Sequence, residues 1–147
     1  MTARKKSDPA ADAICQFVPP FLRFLREGLS KVNVSPARFQ IMQTLSGGSS
    51  LSMAELADRL SVTKRNITTL VDGLERDGLA SRHPHPTDRR STLVELTPEG
   101  NAVLERAAEV QREHLRALLA NLDAAQQRQM TEALNHLMNA MVDGSQR

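Results

Sequence analysis

Lys64, Arg65 and Asn66 stand in succession, Thr68 and Thr69 follow after one apolar residue, and Asp88, Arg89 and Arg90 lie further along the chain. These side chains suit the chemistry of nucleic acids. Arg and Lys pair with guanine, Asn pairs with adenine, and Thr meets a phosphate through its hydroxyl or a thymine through its methyl. A guanidinium on a loop tip can enter a narrow minor groove, where negative potential is concentrated. Ser61 and Thr63, just ahead of the first group, add two hydroxyls to the same neighbourhood.

To share one surface, the first group must ride on a helix. Met53, Leu56, Ala57 and Leu60 recur at the spacing of a buried helical face, and Ser52 with Glu55 three residues on makes a capping box ahead of them. Ser61, Val62 and Thr63 then form a turn, with Val62 as an apolar plug and Thr63 as the next N-cap. A second helix is predicted over 63–77, burying Ile67, Leu70, Val71 and Leu74 and ending at Gly78 as a C′ glycine. Its opposite face keeps Lys64, Arg65, Asn66, Thr68, Thr69 and Asp72. A merely solvated face is the other account of such a ridge; the turn before it and the hairpin after it favour a groove reader.

That hairpin is legible as two short strands, 79–83 and 92–96, joined by a long basic loop over 84–91. Val94 and Leu96 alternate with Leu93 and Glu95, as in a sheet with one covered face. Pro84 and Pro86 keep the loop out of the ladder, so Arg89 and Arg90 stand near an exposed tip. Asp88 would repel phosphate and fits better as a clamp on the loop or on a neighbouring arginine. The fold class expected is mainly α with a small β-hairpin: a winged helix-turn-helix lobe flanked by helices.

The runs Leu56 to Thr63, Leu70 to Leu79, Asp88 to Ser91 and Leu96 to Gly100 closely resemble the MarR family of bacterial transcription regulators. That resemblance implies a homodimer on a pseudopalindromic double-stranded DNA operator, usually a repressor, often released by a small molecule or an oxidant. It also implies that Arg90 probes the minor groove and that Asp88 steadies the wing. The rivals from other classes are a protein–protein adaptor and a ligand carrier or small enzyme; within the regulators, the alternative is redox sensing through Cys15.

The flanks read as dimerisation helices. Ile14, Phe17, Val18, Phe21, Leu22, Leu25 and Leu29 keep a helical stripe over 12–34, and Pro19-Pro20 predicts a kink or a fresh start within it. Ser35-Pro36 opens a short helix carrying Phe39, Ile41, Met42 and Leu45. Beyond Thr97-Pro98-Glu99, a long helix to about Asn121 and a last helix capped by Asp123 and Gln126 carry apolar stripes. Such stripes have too little sequence around them for burial within one chain, and a second copy would cover them. The layout expected is a disordered basic arm over 1–11 with Arg4, Lys5 and Lys6, dimerisation helices over 12–34 and 97–147, and the winged lobe over 35–96 with its wing over 80–96.

Composition bounds the function more loosely. The 147 residues suit one domain with helical extensions, and a net charge of +2 decides little, because the acidic and basic residues of 51–96 balance. What matters is that the basic groups gather at the second helix's start and in the wing. No apolar run is long enough for a membrane span and no signal segment is seen, so a cytoplasmic location is expected. One cysteine, Cys15, excludes an internal disulfide. It is the redox candidate, although Ile14, Phe17 and Val18 around it suggest a packed residue. His83, His85, His114 and His136 lack zinc spacing and read as solvated surface histidines. No cofactor, metal or catalytic constellation is evident, and an effector pocket would draw on Arg23, Arg38 and Met42.

Overall fold

In the computed structural model, which describes residues 8–144, the chain runs α1 (Pro9–Ser30), α2 (Pro36–Thr44), β1 (Leu51–Ser52), α3 (Met53–Leu60), α4 (Lys64–Arg76), β2 (Ala80–Pro84), β3 (Thr92–Leu96), α5 (Pro98–Leu119) and α6 (Ala124–Gly144). Two compact units divide after Gln111. The fold is the expected one, mostly helical with a small antiparallel sheet. It departs from expectation in the number of strands: β1 pairs with β3, so the sheet is three-stranded in the order β1-β3-β2. Two residues running straight into a helix carry too little alternation to be recognised as a strand.

Local chemistry sets most boundaries. Ser52 Oγ accepts the Glu55 N–H at 3.2 Å while the Glu55 carboxylate accepts the Ser52 N–H at 2.8 Å, closing the capping box of α3. These contacts, the backbone one first, hold the Glu55 carboxyl below its ordinary range. At the other end of α3, Ser61 adopts φ 51°, and Val62 N–H reaches Ala57 O at 3.0 Å. Thr63 caps α4 through the Asn66 N–H at 3.3 Å. At the end of α4, Gly78 takes φ 72°, with Leu79 N–H donating to Leu74 O at 2.8 Å and Gly78 N–H to Glu75 O at 3.0 Å, a Schellman closure.

The core of the first unit sits between α2, α3, α4 and the sheet. Ile41, Met42, Leu56, Ile67, Val71, Leu74 and Val94 are fully buried there. Each large apolar side chain so buried contributes about 1.5–3 kcal/mol, and together they fix the angle between the two helices of the turn. A smaller cluster joins Leu29, Val34 and Ala107. Gln111, next on the same face of α5 after Leu104 and Ala107, is also buried, and its Oε1 has no partner among the described residues.

Two expectations at the amino end are corrected. The first helix begins at Pro9, with Asp8 Oδ1 accepting the Ala10 and Ala11 N–H groups at 3.2 Å, so Pro9, Ala10 and Ala11 belong to the helix rather than to an arm. Arg4, Lys5 and Lys6 lie outside the described residues. Nor does Pro20 start a fresh helix: α1 runs through Pro19 and Pro20. The carbonyls of Cys15 and Gln16 lose their usual donors there, but this stretch is exposed and water can serve them.

Candidate nucleic-acid interface

The α4 helix is amphipathic in the sense a reading helix needs. Its buried residues Ile67, Val71 and Leu74 hold it to the core, while Lys64, Arg65, Asn66, Thr68 and Thr69 are all exposed. Thr68 Oγ1 donates to Lys64 O at 2.8 Å and Thr69 Oγ1 to Arg65 O at 3.1 Å. Both hydroxyl protons are therefore used within the helix, which leaves the methyls and the oxygen lone pairs for a partner. Thr63 Oγ1 is likewise engaged as the helix cap, and Ser61 is exposed in the turn.

The wing brings the second group alongside. Lys64 and Thr68 of α4, Met53 and Ala54 of α3, and Asp88, Arg90, Ser91 and Thr92 of the wing line one open hollow of about 380 Å³. Arg65, Asn66, Thr69 and Arg89 are exposed but do not line it. Asp88 Oδ1 accepts the Arg90 backbone N–H at 2.9 Å. Ser91 N–H donates to Asp88 O at 3.0 Å and His85 N–H to Ser91 O at 3.1 Å, so the loop closes on itself over 85–91. The β2 strand extends one residue further than the sequence suggests, through Pro84 opposite Thr92. It is an edge strand, where the missing proline N–H is tolerated.

Two residues shape this surface without standing out in the sequence. Arg82 on β2 reaches across to α4, Nη2 to Asp72 Oδ1 at 2.6 Å and Nη1 to Glu75 Oε2 at 2.5 Å. Burial acts against its charge, yet the two carboxylates outweigh that, and its pKa is raised. The pairing fixes the wing to α4 and offsets two negative charges on the face that carries Lys64 and Arg65. Asp72 and Glu75 sit one turn apart, which is the signal a sequence offers for a shared cation, but nothing in it says which arginine arrives. The second residue is His85. Its Nδ1 accepts the Thr87 N–H at 3.3 Å and the Asp88 N–H at 3.1 Å, so it is a structural part of the loop and not a freely solvated histidine. His83 Nε2 lies 2.8 Å from Glu95 Oε1.

The wing is also clipped to α4 from behind. Thr97 N–H donates to Leu79 O at 3.1 Å, and Thr97 Oγ1 donates to Gly78 O at 2.6 Å while accepting the Gly100 N–H at 3.0 Å. A Cβ on Gly100 would stand 1.9 Å from Leu79 O, so only glycine permits this close approach.

The candidate effector residues are partly brought together. Arg38 and Met42 border a cavity of about 260 Å³ with Val32, Asn33, Val34, Asp77, Leu79 and Val103; Arg23 borders neither this cavity nor the neighbouring one of about 430 Å³, which Arg26 and Arg38 line. Arg38 is tied to Asp77 at the end of α4, 2.7 Å away. Cys15 is exposed on α1 rather than packed. Among the described residues, no group of three or more His, Cys, Asp or Glu side chains could hold a metal ion, and no helix is long and apolar enough to cross a membrane.

Comparison with known proteins bears on the same region. Residues 32–91 match the model of the MarR family. The chain is 47% identical over 74 residues to the HTH-type transcriptional repressor YetL of Bacillus subtilis, covering 49% of this chain and 44% of that protein. It thus spans less than half the length of that curated relative. Among solved structures, the transcriptional regulator BldR from Sulfolobus solfataricus is 32% identical, with a TM-score of 0.73 over 89% of this chain and 93% of that one. A mutant Escherichia coli MarR complexed with operator DNA is 27% identical, with a TM-score of 0.72 over 88% of this chain and 93% of that one. The family match begins ahead of α2 and ends at the base of the wing, taking in both helices of the turn and the basic tip, and the chain belongs to the MarR family and has its winged helix-turn-helix fold.

Proposed function

We propose that this chain is a sequence-specific double-stranded DNA-binding regulator, acting as a homodimeric repressor of a pseudopalindromic operator. The observation that carries this reading is the hollow shared by Lys64 and Thr68 of α4 and Arg90 of the wing, where a ridge of donors and a guanidinium-tipped loop face the same side. Operator DNA in the complex of a family relative supports it. In this reading α4 enters a major groove, with Arg65 and Asn66 on base edges, Lys64 on phosphate, and the Thr68 and Thr69 methyls against thymine. Arg90 reaches into the flanking minor groove, and Arg89 lies on its rim. Ser61 and Thr63 contact the backbone at the start of α4, and Asp88 holds the loop without touching DNA.

A second copy is needed because one winged lobe reads one half-site. The apolar residues exposed along α1 and, separately, along α6 supply the surface for it. The cavity that Arg38 and Met42 share is the place for a small-molecule effector in this reading. Selection from a pool of random duplexes, followed by footprinting at several salt concentrations, tests the reading. The expected site is a pseudopalindrome with half-site centres about 10 bp apart and an affinity that falls steeply with salt. A monomer indifferent to every duplex in dilute buffer would overturn it.

A further inference from the structure

We propose that Arg38 is a positioning residue for the reading helix: its guanidinium fills the place of a side chain at Gly73 and, tied to Asp77, sets how α4 presents Asn66 and Thr69 to DNA. The consequence for DNA rests on the function proposed above; the seat of the guanidinium does not. Gly73 is buried in the interior of α4 and does not adopt a positive φ. Glycine weakens a helix there relative to alanine, so its backbone freedom does not account for it. Arg38 does. A Cβ on Gly73 would stand 2.6 Å from Arg38 Nη2, 3.5 Å from Cζ and 3.6 Å from Nε, so the guanidinium occupies the space that a side chain would need. Its Nη1 lies 2.7 Å from Oδ2 of Asp77, the C-cap of α4, whose own N–H donates to Gly73 O at 3.2 Å. A cation at this end of the helix also suits the direction of its dipole.

The strut is anchored at its base. Arg38 lies in the first turn of α2, where Ser35 Oγ accepts its N–H at 3.3 Å, and Ile41, Met42 and Leu45 follow within the core. Ile67, Val71 and Leu74 hold α4 to that core along one face, and a helix held along one face can still roll on it. Arg82 grips α4 from the side of the wing through Asp72 and Glu75, and Arg38 grips it from the side of α2. Asn66, Thr69, Gly73 and Asp77 recur at intervals of three and four residues and so share one stripe of the helix. A roll of α4 at Gly73 and Asp77 is therefore carried to Asn66 and Thr69, which are exposed nearer its start. The side chain of Arg38 is 25% exposed and that of Asp77 45%, so the pair contributes little to stability. What it fixes is position.

The distinguishing variant is Gly73→Ala, because the end of a flexible arginine gives way to a methyl while alanine favours the helix. Affinity for a duplex selected by the parent protein is measured at fixed salt for the parent, Gly73→Ala, Arg38→Ala and the double variant, with a thermal melt of each. Each single variant is expected to bind about tenfold more weakly, with the melting temperature of Gly73→Ala at or above that of the parent. The double variant should bind no more weakly than Arg38→Ala, because the added methyl then has nothing to displace. Parent-like affinity in either single variant overturns the inference. So do losses that multiply in the double variant, and so does a fall in the melting temperature of Gly73→Ala alongside its affinity, which would make the seat a purely structural one. Absence of binding by the parent to any duplex overturns the DNA-binding reading instead. In that case NMR of the free protein still decides the seat: Gly73→Ala and Arg38→Ala must both shift the Asn66 amide, about two turns away, and shifts confined to the turn around residue 73 overturn it.

Discussion

Arg82 and Arg90 are both arginines of the wing, and their surroundings give them opposite duties. Arg90 is exposed at the tip, with its backbone held by Asp88, so its guanidinium is available to a groove. Arg90→Ala should therefore lower operator affinity at fixed salt by about tenfold, a loss of roughly 1–3 kcal/mol, and leave the thermal melt unchanged; equal affinity of variant and parent would remove Arg90 from the interface. Arg82 is spent within the protein, on Asp72 and Glu75. Both carboxylates are nearly half exposed, so solvent screens the pairs, and Arg82→Ala should cost at most about 1 kcal/mol of stability. Its larger effect should fall on DNA, because two uncompensated carboxylates then face phosphate from α4. Titration beside a thermal melt separates the two, and a loss of stability with full affinity would make Arg82 a purely structural clamp. Only the first duty is written in local sequence: Arg89 and Arg90 stand out as a basic pair, whereas Arg82 acquires its partners from a helix ten and seven residues away.

Among the elements, α4 and the wing work as one piece because their connection is locked at both ends. Gly78 closes α4, and Thr97 and Gly100 seat the start of α5 against the Leu79 carbonyl. Gly100→Ala places a methyl where that carbonyl already stands, and neither backbone segment can yield without breaking the Thr97 contacts. A loss of about 3 kcal/mol or more is expected by denaturant titration, and a loss within experimental error would show that α5 can shift without cost. The same clip gives the run from Leu96 to Gly100 a task within the fold, seating α5 against the base of the wing. Helices α3, α4 and α6 were legible in the sequence, since their caps are made by residues three apart: Ser52 with Glu55, Thr63 with Asn66, Asp123 with Gln126. Strand β1 was not, because its identity comes from Leu51 lying opposite Val94.

At the scale of the whole molecule, apolar surface remains outside. On α1, Ile14, Phe17, Val18 and Leu22 are each more than 40% exposed, at the spacing of one helical stripe. Within the second unit, Leu134, Leu137, Met138 and Met141 repeat that spacing on α6 with about half or more of each exposed. Exposed apolar stripes of this size mark interaction surfaces, and a second copy is the occupant that the proposed function requires. Leu137→Glu should shift the protein toward monomer in sedimentation and abolish the concentration dependence of its melting temperature. Operator affinity should fall with it, since the two half-sites would then be bound separately. A variant that stays dimeric would place the interface elsewhere.

By itself the sequence determined what depends on near neighbours along the chain: the helices and their caps, the polar ridge of α4, the basic tip of the wing, and the family those runs resemble. Tertiary structure alone decided the third strand, the reach of Arg82 to Asp72 and Glu75, the tie between Arg38 and Asp77, and the seat that demands glycine at position 100. The physical division is one of range. Helical periodicity and capping act over three or four residues and leave a pattern in the text of the chain. Ion pairs and close backbone approaches are instead set by which surfaces the hydrophobic core presses together, and many side chains of the right type could have answered.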